Sequence, residues 1–199
     1  MATTSKAALR AQLQAARRRV ADTVRADEAR MLCEQLRAAE SILSSDNTVC
    51  AYVPVGAEPG SIEIVDMLLR RARRVLLPVA RTTAHNAPLP LRWGEYRPGT
   101  LRSARWGLLE PPEPWLPASA IAEASLILVP SLAVDRSGVR LGRGSGFYDR
   151  SLGGRDPRAR LVAVVRDAEL VDKLPAEPHD ILMTDALTPR AGLVALNPR

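Results

Sequence analysis

Thr48-Val-Cys-Ala-Tyr-Val53, Gly56-Ala-Glu-Pro-Gly60, the stretch 62–69 and Val75-Leu-Leu-Pro-Val79 together decide the fold. The first run is rich in β-branched and aromatic residues and is stopped by Pro54, and the glycine and proline cluster after it reads as a loop. Ile62, Val65, Leu68 and Leu69 recur at helical spacing. Arg70-Arg-Ala-Arg-Arg74 then places basic residues where a helix C-terminus favours them. With the second apolar run this is a β-α-β unit, the signature of an α/β fold. In open α/β sheets ligands bind beyond the carboxyl ends of the strands, where Glu58 would lie. A glutamate in a loop is also commonly just solvated.

Working outward, Leu126-Ile-Leu-Val129 and Arg160-Leu-Val-Ala-Val-Val165 read as further buried strands. Leu91-Arg-Trp-Gly-Glu-Tyr96 and Ala104-Arg-Trp-Gly-Leu-Leu109 read as short ones, the second stopped by Glu110-Pro-Pro-Glu-Pro114. Ile181-Leu-Met183 and Gly192-Leu-Val-Ala-Leu196 look like closing strands. Toward the N-terminus, Thr4-Ser5 is a plausible cap for a helix carrying Leu9, Leu13, Ala16 and Val20 on one stripe. Asp22-Thr23 reads as the cap of a second helix, with Leu32, Leu36, Ala39 and Leu43 on its stripe and an end near Ser44-Ser-Asp-Asn47. Lys6 and Arg10 share a face of the first helix. Like charges at that spacing cost about 0.2–0.5 kcal/mol, which a bound anion would reverse, although a solvated basic face shared with Arg17-Arg18-Arg19 explains them as well.

The chemistry is expected in Arg140-Leu-Gly-Arg-Gly-Ser-Gly-Phe-Tyr-Asp149. Gly142, Gly144 and Gly146 permit positive φ and a close approach of backbone N–H groups to a ligand, and Arg140 and Arg143 add two guanidinium groups. A helix beginning at Phe147 would add its N-terminal dipole. Asp149 beside phosphates is repelled unless a cation lies between them, and Mg²⁺ would resolve that conflict. A turn between strand and helix accounts for the glycines alone; the two arginines and the aspartate favour an anion site. Neither the P-loop nor the G-x-G-x-x-G pattern is matched, since position 147 is Phe.

At 199 residues and 46% apolar content the chain suits one domain over residues 1–199, with a core that needs no staples. No apolar run approaches the roughly 20 residues of a membrane span, and the start lacks a signal-peptide core, so a cytoplasmic protein without membrane contact is expected. Cys33 and Cys50 are too isolated for a disulfide framework or zinc and are read as structural thiols. Only His85 and His179 are present, His85 in an exposed loop and His179 a weak acid/base candidate, so a His/Cys metal centre has no support. No Gly-x-Ser-x-Gly occurs to support acyl-enzyme chemistry. The net charge of +6 suits an acidic partner, but aromatic content of 4% offers few stacking platforms for single-stranded nucleic acid, so small anionic ligands are expected rather than RNA. Trp106-Gly107 before the prolines would floor a pocket or sit in the core.

Taken in order, Lys6-x-x-x-Arg10, the strand with its loop Glu58, Trp-Gly-Leu-Leu-Glu-Pro at 106–111, Val-Pro-Ser-Leu-Ala-Val-Asp at 129–135, the decapeptide 140–149 and Leu-Pro-x-Glu-x-His-Asp at 174–180 resemble the 5-formyltetrahydrofolate cyclo-ligase family. The resemblance implies a three-layer α/β/α sandwich around a mainly parallel central sheet. It implies ATP- and Mg²⁺-dependent closure of 5-formyltetrahydrofolate to 5,10-methenyltetrahydrofolate, releasing ADP and phosphate, by an enzyme expected to be a monomer. Carried over by position, the ATP contacts would be Lys6, Arg10, Arg140, Leu141, Gly142, Arg143, Gly144, Ser145, Gly146, Phe147 and Tyr148. The Mg²⁺ ligands would be Asp149 and Asp180. Val53 and Glu58 would meet the folate, with Arg143, Gly144, Ser145, Gly146 and Phe147 bordering both ligands, and Arg143 and Tyr148 are the catalytic candidates. Ser145 stands where relatives usually carry Gly or Lys, and Phe147 where Tyr is common. Those two departures motivate the alternative of a non-catalytic or re-specialised nucleotide- or folate-binding relative.

Overall fold

The computed structural model describes residues 5–39, 42–178 and 180–197. Its elements are α1 (Lys6–Arg18), α2 (Asp22–Ala38), β1 (Thr48–Cys50), α3 (Ile62–Leu69), β2 (Arg74–Val79), β3 (Arg92–Glu95), β4 (Arg102–Ser103), β5 (Leu109–Glu110), β6 (Ala124–Pro130), β7 (Ala133–Asp135), β8 (Arg140–Leu141), α4 (Phe147–Ser151), β9 (Arg160–Val164), β10 (Leu170–Val171), β11 (Asp185–Thr188) and β12 (Gly192–Ala195). Seven strands form the main sheet in the order β12-β11-β9-β6-β1-β2-β3. Its interior pairs are parallel, and β3 and β12 close the edges antiparallel to β2 and β11.

The apolar runs become interior strands because both of their faces are covered. In β6, Leu126 and Leu128 join one core with Leu32 and Leu36 of α2 and Val65 and Leu68 of α3. Ile127 and Val129, pointing the other way, join a second core with Trp93, Ile121 and Leu152. Strand β9 divides likewise, Val162 and Val164 to the first core and Leu161 and Ala163 to the second. A period of two with no polar face is what a parallel sheet between two layers requires. One covering layer is helical; the other is built from the 3₁₀ segment 118–123, α4 and the 3₁₀ turn 152–154.

Helix α1 lies elsewhere. Leu9 and Leu13 pack on a small core of Ala133, Val139, Leu141 and Leu174 under the three-stranded sheet β10-β7-β8. That sheet was not expected, and it takes Arg140 and Leu141 out of the loop and into a strand. Asp135 organises its hairpin: Oδ1 accepts the N–H groups of Ser137 and Val139 at 2.9 and 3.0 Å, and Oδ2 accepts that of Leu174 at 2.8 Å. Gly138 completes the turn at φ +89°, and a Cβ there would stand 2.5 Å from the Met183 carbonyl oxygen. Gly138→Ala is therefore expected to lose more than the left-handed penalty of about 1–2 kcal/mol, read from the denaturant midpoint.

Several other expectations are corrected. Ser5 caps α1 by accepting from Ala8 N–H, while Thr4 lies outside the described residues. Helix α2 starts one residue after Ala21, its N-cap, with Asp22 already inside the first turn, and it ends at Ala38, short of Leu43. Residues 181–183 form no strand; β11 occupies 185–188 instead. Arg105-Trp106-Gly107 is a 3₁₀ turn between β4 and β5, with Trp106 at φ +60°. Arg17 is not part of a solvated face but buried at 4% exposure.

Candidate active site

The chain order of the main sheet reverses between β1, which continues to β2 on one side, and β6, which continues to β9 on the other. Segments leaving the carboxyl ends of adjacent parallel strands diverge there and open a crevice. The crevice is a cleft of about 610 Å³, walled by Tyr52, Val53 and Glu58 beyond β1, Ala80 and Thr82 beyond β2, and Pro130 at the end of β6 with Ser131 after it. Residues 140 and 142–149 complete it.

Glu58 is held rather than solvated. One carboxylate oxygen accepts the Val55 N–H at 2.9 Å, the other stands 3.3 Å from Arg143 Nε, and the side chain is 9% exposed. Arg143 itself is half exposed and reaches across the cleft to make that pair. Arg140 donates to the Pro130 carbonyl at 3.2 Å and to Asp149 at 2.5 Å. Among the described residues no hydrogen bond reaches Asp149 Oδ2, and its side chain is 63% exposed. The Leu141 side chain is buried in the small core, so only its backbone is left for a ligand, and its carbonyl already accepts from Leu132 N–H.

The glycines divide their work. Gly144 (φ +95°) and Gly146 (φ +78°) need the left-handed region, whereas Gly142 does not. Gly142 is small for another reason: a Cβ there would stand 2.7 Å from an Arg140 guanidinium nitrogen. Ser145 also lies outside the positive-φ positions, so its Cβ causes no strain. Phe147 packs its ring on Trp106, centroids 5.7 Å apart. Helix α4 has five residues, too few for a substantial dipole, which leaves the arginines and loop amides as the principal anion donors.

Lys6, Arg10 and Asp180 do not line the cleft, and of the three Arg10 touches its glycine loop. Arg10 Nε donates to the Gly142 carbonyl at 3.0 Å, and a Cβ at Gly144 would meet the Arg10 side chain at 3.5 Å. One turn earlier, Lys6 Nζ lies 3.1 Å from Asp180 and 3.3 Å from Glu177. Asp180 and Asp149 are thus each tied to a cation, Lys6 and Arg140, and no direct contact joins the two carboxylates. His179 lies outside the described residues. Among the described residues no group of three or more His, Cys, Asp or Glu is placed to hold a metal. The donor set still suits a hard cation that takes one or two carboxylates and completes its shell with phosphate and water.

Two participants, Arg17 and Tyr52, escaped sequence reading. Arg17 lines the cleft, forms a two-point pair with Glu169 (2.7 and 2.6 Å) and donates to the Ser131 carbonyl at 2.6 Å. Only its position within a run of three arginines marked it, and that pattern suggests solvent. Tyr52 fixes the loop by donating to the Pro59 carbonyl at 3.1 Å, and Trp106, expected either to floor a pocket or to sit in the core, is a half-exposed wall of the cleft. Tyr148 was expected, but not its state. Its hydroxyl is closed to solvent and hydrogen-bonds no described residue, and burial, with Glu58 second, pushes its pKa far up. It is a neutral donor at any physiological pH. Tyr148→Phe is expected to stabilise the fold, because a buried unpaired hydroxyl costs about 1–3 kcal/mol; a lowered melting temperature would show that the hydroxyl has a partner.

The sequence pattern of the 5-formyltetrahydrofolate cyclo-ligase family matches residues 2–189. The chain belongs to that family. A 5-formyltetrahydrofolate cyclo-ligase of Mycolicibacterium smegmatis is 59% identical over 196 residues, covering 98% of this chain and all of the relative. The Escherichia coli cyclo-ligase is 30% identical over 145 residues, 72% of this chain and 78% of the relative. The fold is that of the 5,10-methenyltetrahydrofolate synthetase of Aquifex aeolicus, with a TM-score of 0.78 at 21% identity over 98% of this chain and 94% of that one. No helix among the described residues of this family member is long and apolar enough to cross a membrane.

Proposed function

We propose that this cyclo-ligase family member closes 5-formyltetrahydrofolate to 5,10-methenyltetrahydrofolate at the expense of ATP, with Mg²⁺ as the metal, in the cleft between β1 and β6. The observation that carries the reading is the Glu58–Arg143 pair, which brings a buried-edge carboxylate suited to a pterin and a guanidinium suited to phosphate together in one crevice at the sheet's switch point.

The N-formyl group is amide-like, and its oxygen leaves badly. Transfer of the γ-phosphoryl to that oxygen, with ADP departing, converts it to a phosphate leaving group. N10 then attacks the formyl carbon, the C–O bond breaks, phosphate leaves and the N10 proton is lost. The chain's share is positioning and charge neutralisation. Arg140, Arg143 and the amides at 144–146 would hold the transferring phosphoryl, and Lys6 and Arg10 would take the other phosphates. Glu58 would orient the pterin by accepting its N–H groups. Tyr148, whose hydroxyl is closed to solvent, would donate to the oxygen on which charge develops only once its ring turns toward the cleft on ligand binding, and Tyr148→Phe should then cost about 0.5–1.5 kcal/mol of transition-state binding. Asp149 and Asp180 would hold Mg²⁺, which when bound draws charge from the phosphate oxygens. Val53, Trp106 and Phe147 would keep water from the activated carbon. No general base is assigned, because N10 is nucleophilic as a neutral amine.

The test is turnover. Protein with ATP, Mg²⁺ and 5-formyltetrahydrofolate should develop the near-ultraviolet absorbance of the methenyl product, and none should form when either ATP or Mg²⁺ is omitted. Nucleotide binding without any absorbance gain at saturating substrate would instead identify a non-catalytic relative.

A further inference from the structure

Behind the cleft lies a buried group of charges that the chemistry above does not use. Arg166 follows β9 at the same carboxyl end of the sheet, and it is 7% exposed. Its Nε donates to Glu28 of α2 at 2.7 Å, and its backbone N–H donates to Glu169 at 2.8 Å. Its Nη1 donates to the Ala57 carbonyl at 3.1 Å, while its Nη2 is buried and hydrogen-bonds no described residue. Ion pairs taken out of water are a poor source of stability, and an unpaired buried guanidinium nitrogen is a further cost. The arrangement calls for a reason other than stability.

The reason lies in the atom that Arg166 reaches. The Ala57 carbonyl and the Glu58 N–H belong to one peptide group. Arg166 holds the carbonyl side, and the Val55 carbonyl accepts from the N–H side at 3.3 Å. The plane that sets the Glu58 Cα is thereby held at both edges, and the carboxylate is then closed onto Val55 N–H. The turn includes Gly56 at φ +62°, and among the described residues Arg166 is the one donor that reaches the Ala57 carbonyl, so without the arginine that side of the peptide loses its anchor. Arg166 is itself immobilised by Glu28 and by Glu169, which also binds Arg17 in the cleft wall.

We infer that Arg166 is a positioning residue for folate recognition: through the Ala57–Glu58 peptide it sets where the Glu58 carboxylate stands, and so controls affinity for the folate and not for the nucleotide. The inference rests on Glu58 meeting the folate, as proposed above. A steady-state double-mutant cycle with Arg166→Met and Glu58→Gln tests it. Arg166→Met should raise the KM for 5-formyltetrahydrofolate by about 10- to 100-fold, the range expected of a displaced binding group, and leave the KM for ATP unchanged. Added to Glu58→Gln it should raise the folate KM no further, since both changes act through one carboxylate. Arg166→Lys, which keeps a donor and the charge, should recover part of the loss, and it carries the same comparison should Arg166→Met fail to fold. Equal rises in both KM values, or effects of Arg166→Met and Glu58→Gln that multiply, would assign Arg166 a purely structural role and overturn the inference. A folate KM indifferent to Glu58→Gln would overturn the placement of the folate itself, and the inference with it. A large Glu58→Gln effect with none from either Arg166 variant would overturn the inference alone.

Discussion

Glu169→Ala is expected to lower the unfolding free energy by about 3–5 kcal/mol, the cost of leaving a buried charge without its partner. Glu169 is 6% exposed and receives two hydrogen bonds from Arg17, itself 4% exposed, and one from the Arg166 backbone. Removing it strands the Arg17 guanidinium among Tyr52, Ser131 and the floor of the cleft. For a chain of this size each kcal/mol moves the melting temperature by about 2–4 °C, so a fall of roughly 6–20 °C is expected by calorimetry. The pair need not stabilise the fold in net terms, because two charges were desolvated to make it. Arg17→Met combined with Glu169→Leu should therefore be much less destabilised than Glu169→Ala. A double variant at least as unstable as the single one would mean that the hydrogen bond from Arg17 to Ser131, rather than charge compensation, holds this region.

Arg143→Ala should produce the largest loss of turnover. Arg143 is half exposed and pairs with Glu58 at 3.3 Å, so the fold does not depend on it and the melting temperature should stay within the wild-type range. Its proposed task is to meet charge that develops on the transferring phosphoryl. Loss of one preorganised donor of that kind lowers kcat by about 10²–10³-fold. Arg143→Lys should restore only part, because an ammonium keeps the charge but not the planar fork that matches phosphate. A kcat close to wild type with a raised KM for ATP would move Arg143 from the reacting phosphoryl to a passive binding role.

How much of this was legible in the sequence depended on whether the decisive contact was local. The runs at 126–129 and 160–165 announced buried parallel strands because the sheet is apolar on both faces, and periodicity reports that directly. The β1-α3-β2 unit and the glycine decapeptide were legible for the same reason, since turn chemistry and helix spacing are written in adjacent residues. Arg17 was misread because its partner is 152 positions away, and a run of three arginines on a helix looks solvated until that partner is known. The small sheet was missed because β8 and β10 have two residues each, below any period. Strand β11 was placed too early because Ile181-Leu-Met183 is the more apolar run, whereas Asp185 in the observed strand is buried by pairing with Arg160. Trp106 adopts a conformation that propensity disfavours for a bulky residue, and only the cleft it walls gives that conformation a use.

Two features bear on the departures from the family's usual residues. Ser145 occupies a position whose backbone tolerates a side chain, and Phe147 spends its ring on Trp106 rather than needing a hydroxyl. Both are consistent with a working cleft.

The central claim is that residues 140–149 enclose a nucleotide's phosphates with a divalent ion shared by two aspartates distant in the chain. The most direct test is a crystal structure of the protein with a non-hydrolysable ATP analogue and Mn²⁺ in place of Mg²⁺, read from the metal's anomalous scattering. The account predicts one strong peak between the phosphates and the carboxylates of Asp149 and Asp180, with Arg143 turned from Glu58 onto the phosphoryl oxygens. A nucleotide bound outside the cleft, or a metal on the phosphates with neither aspartate in reach, would contradict it.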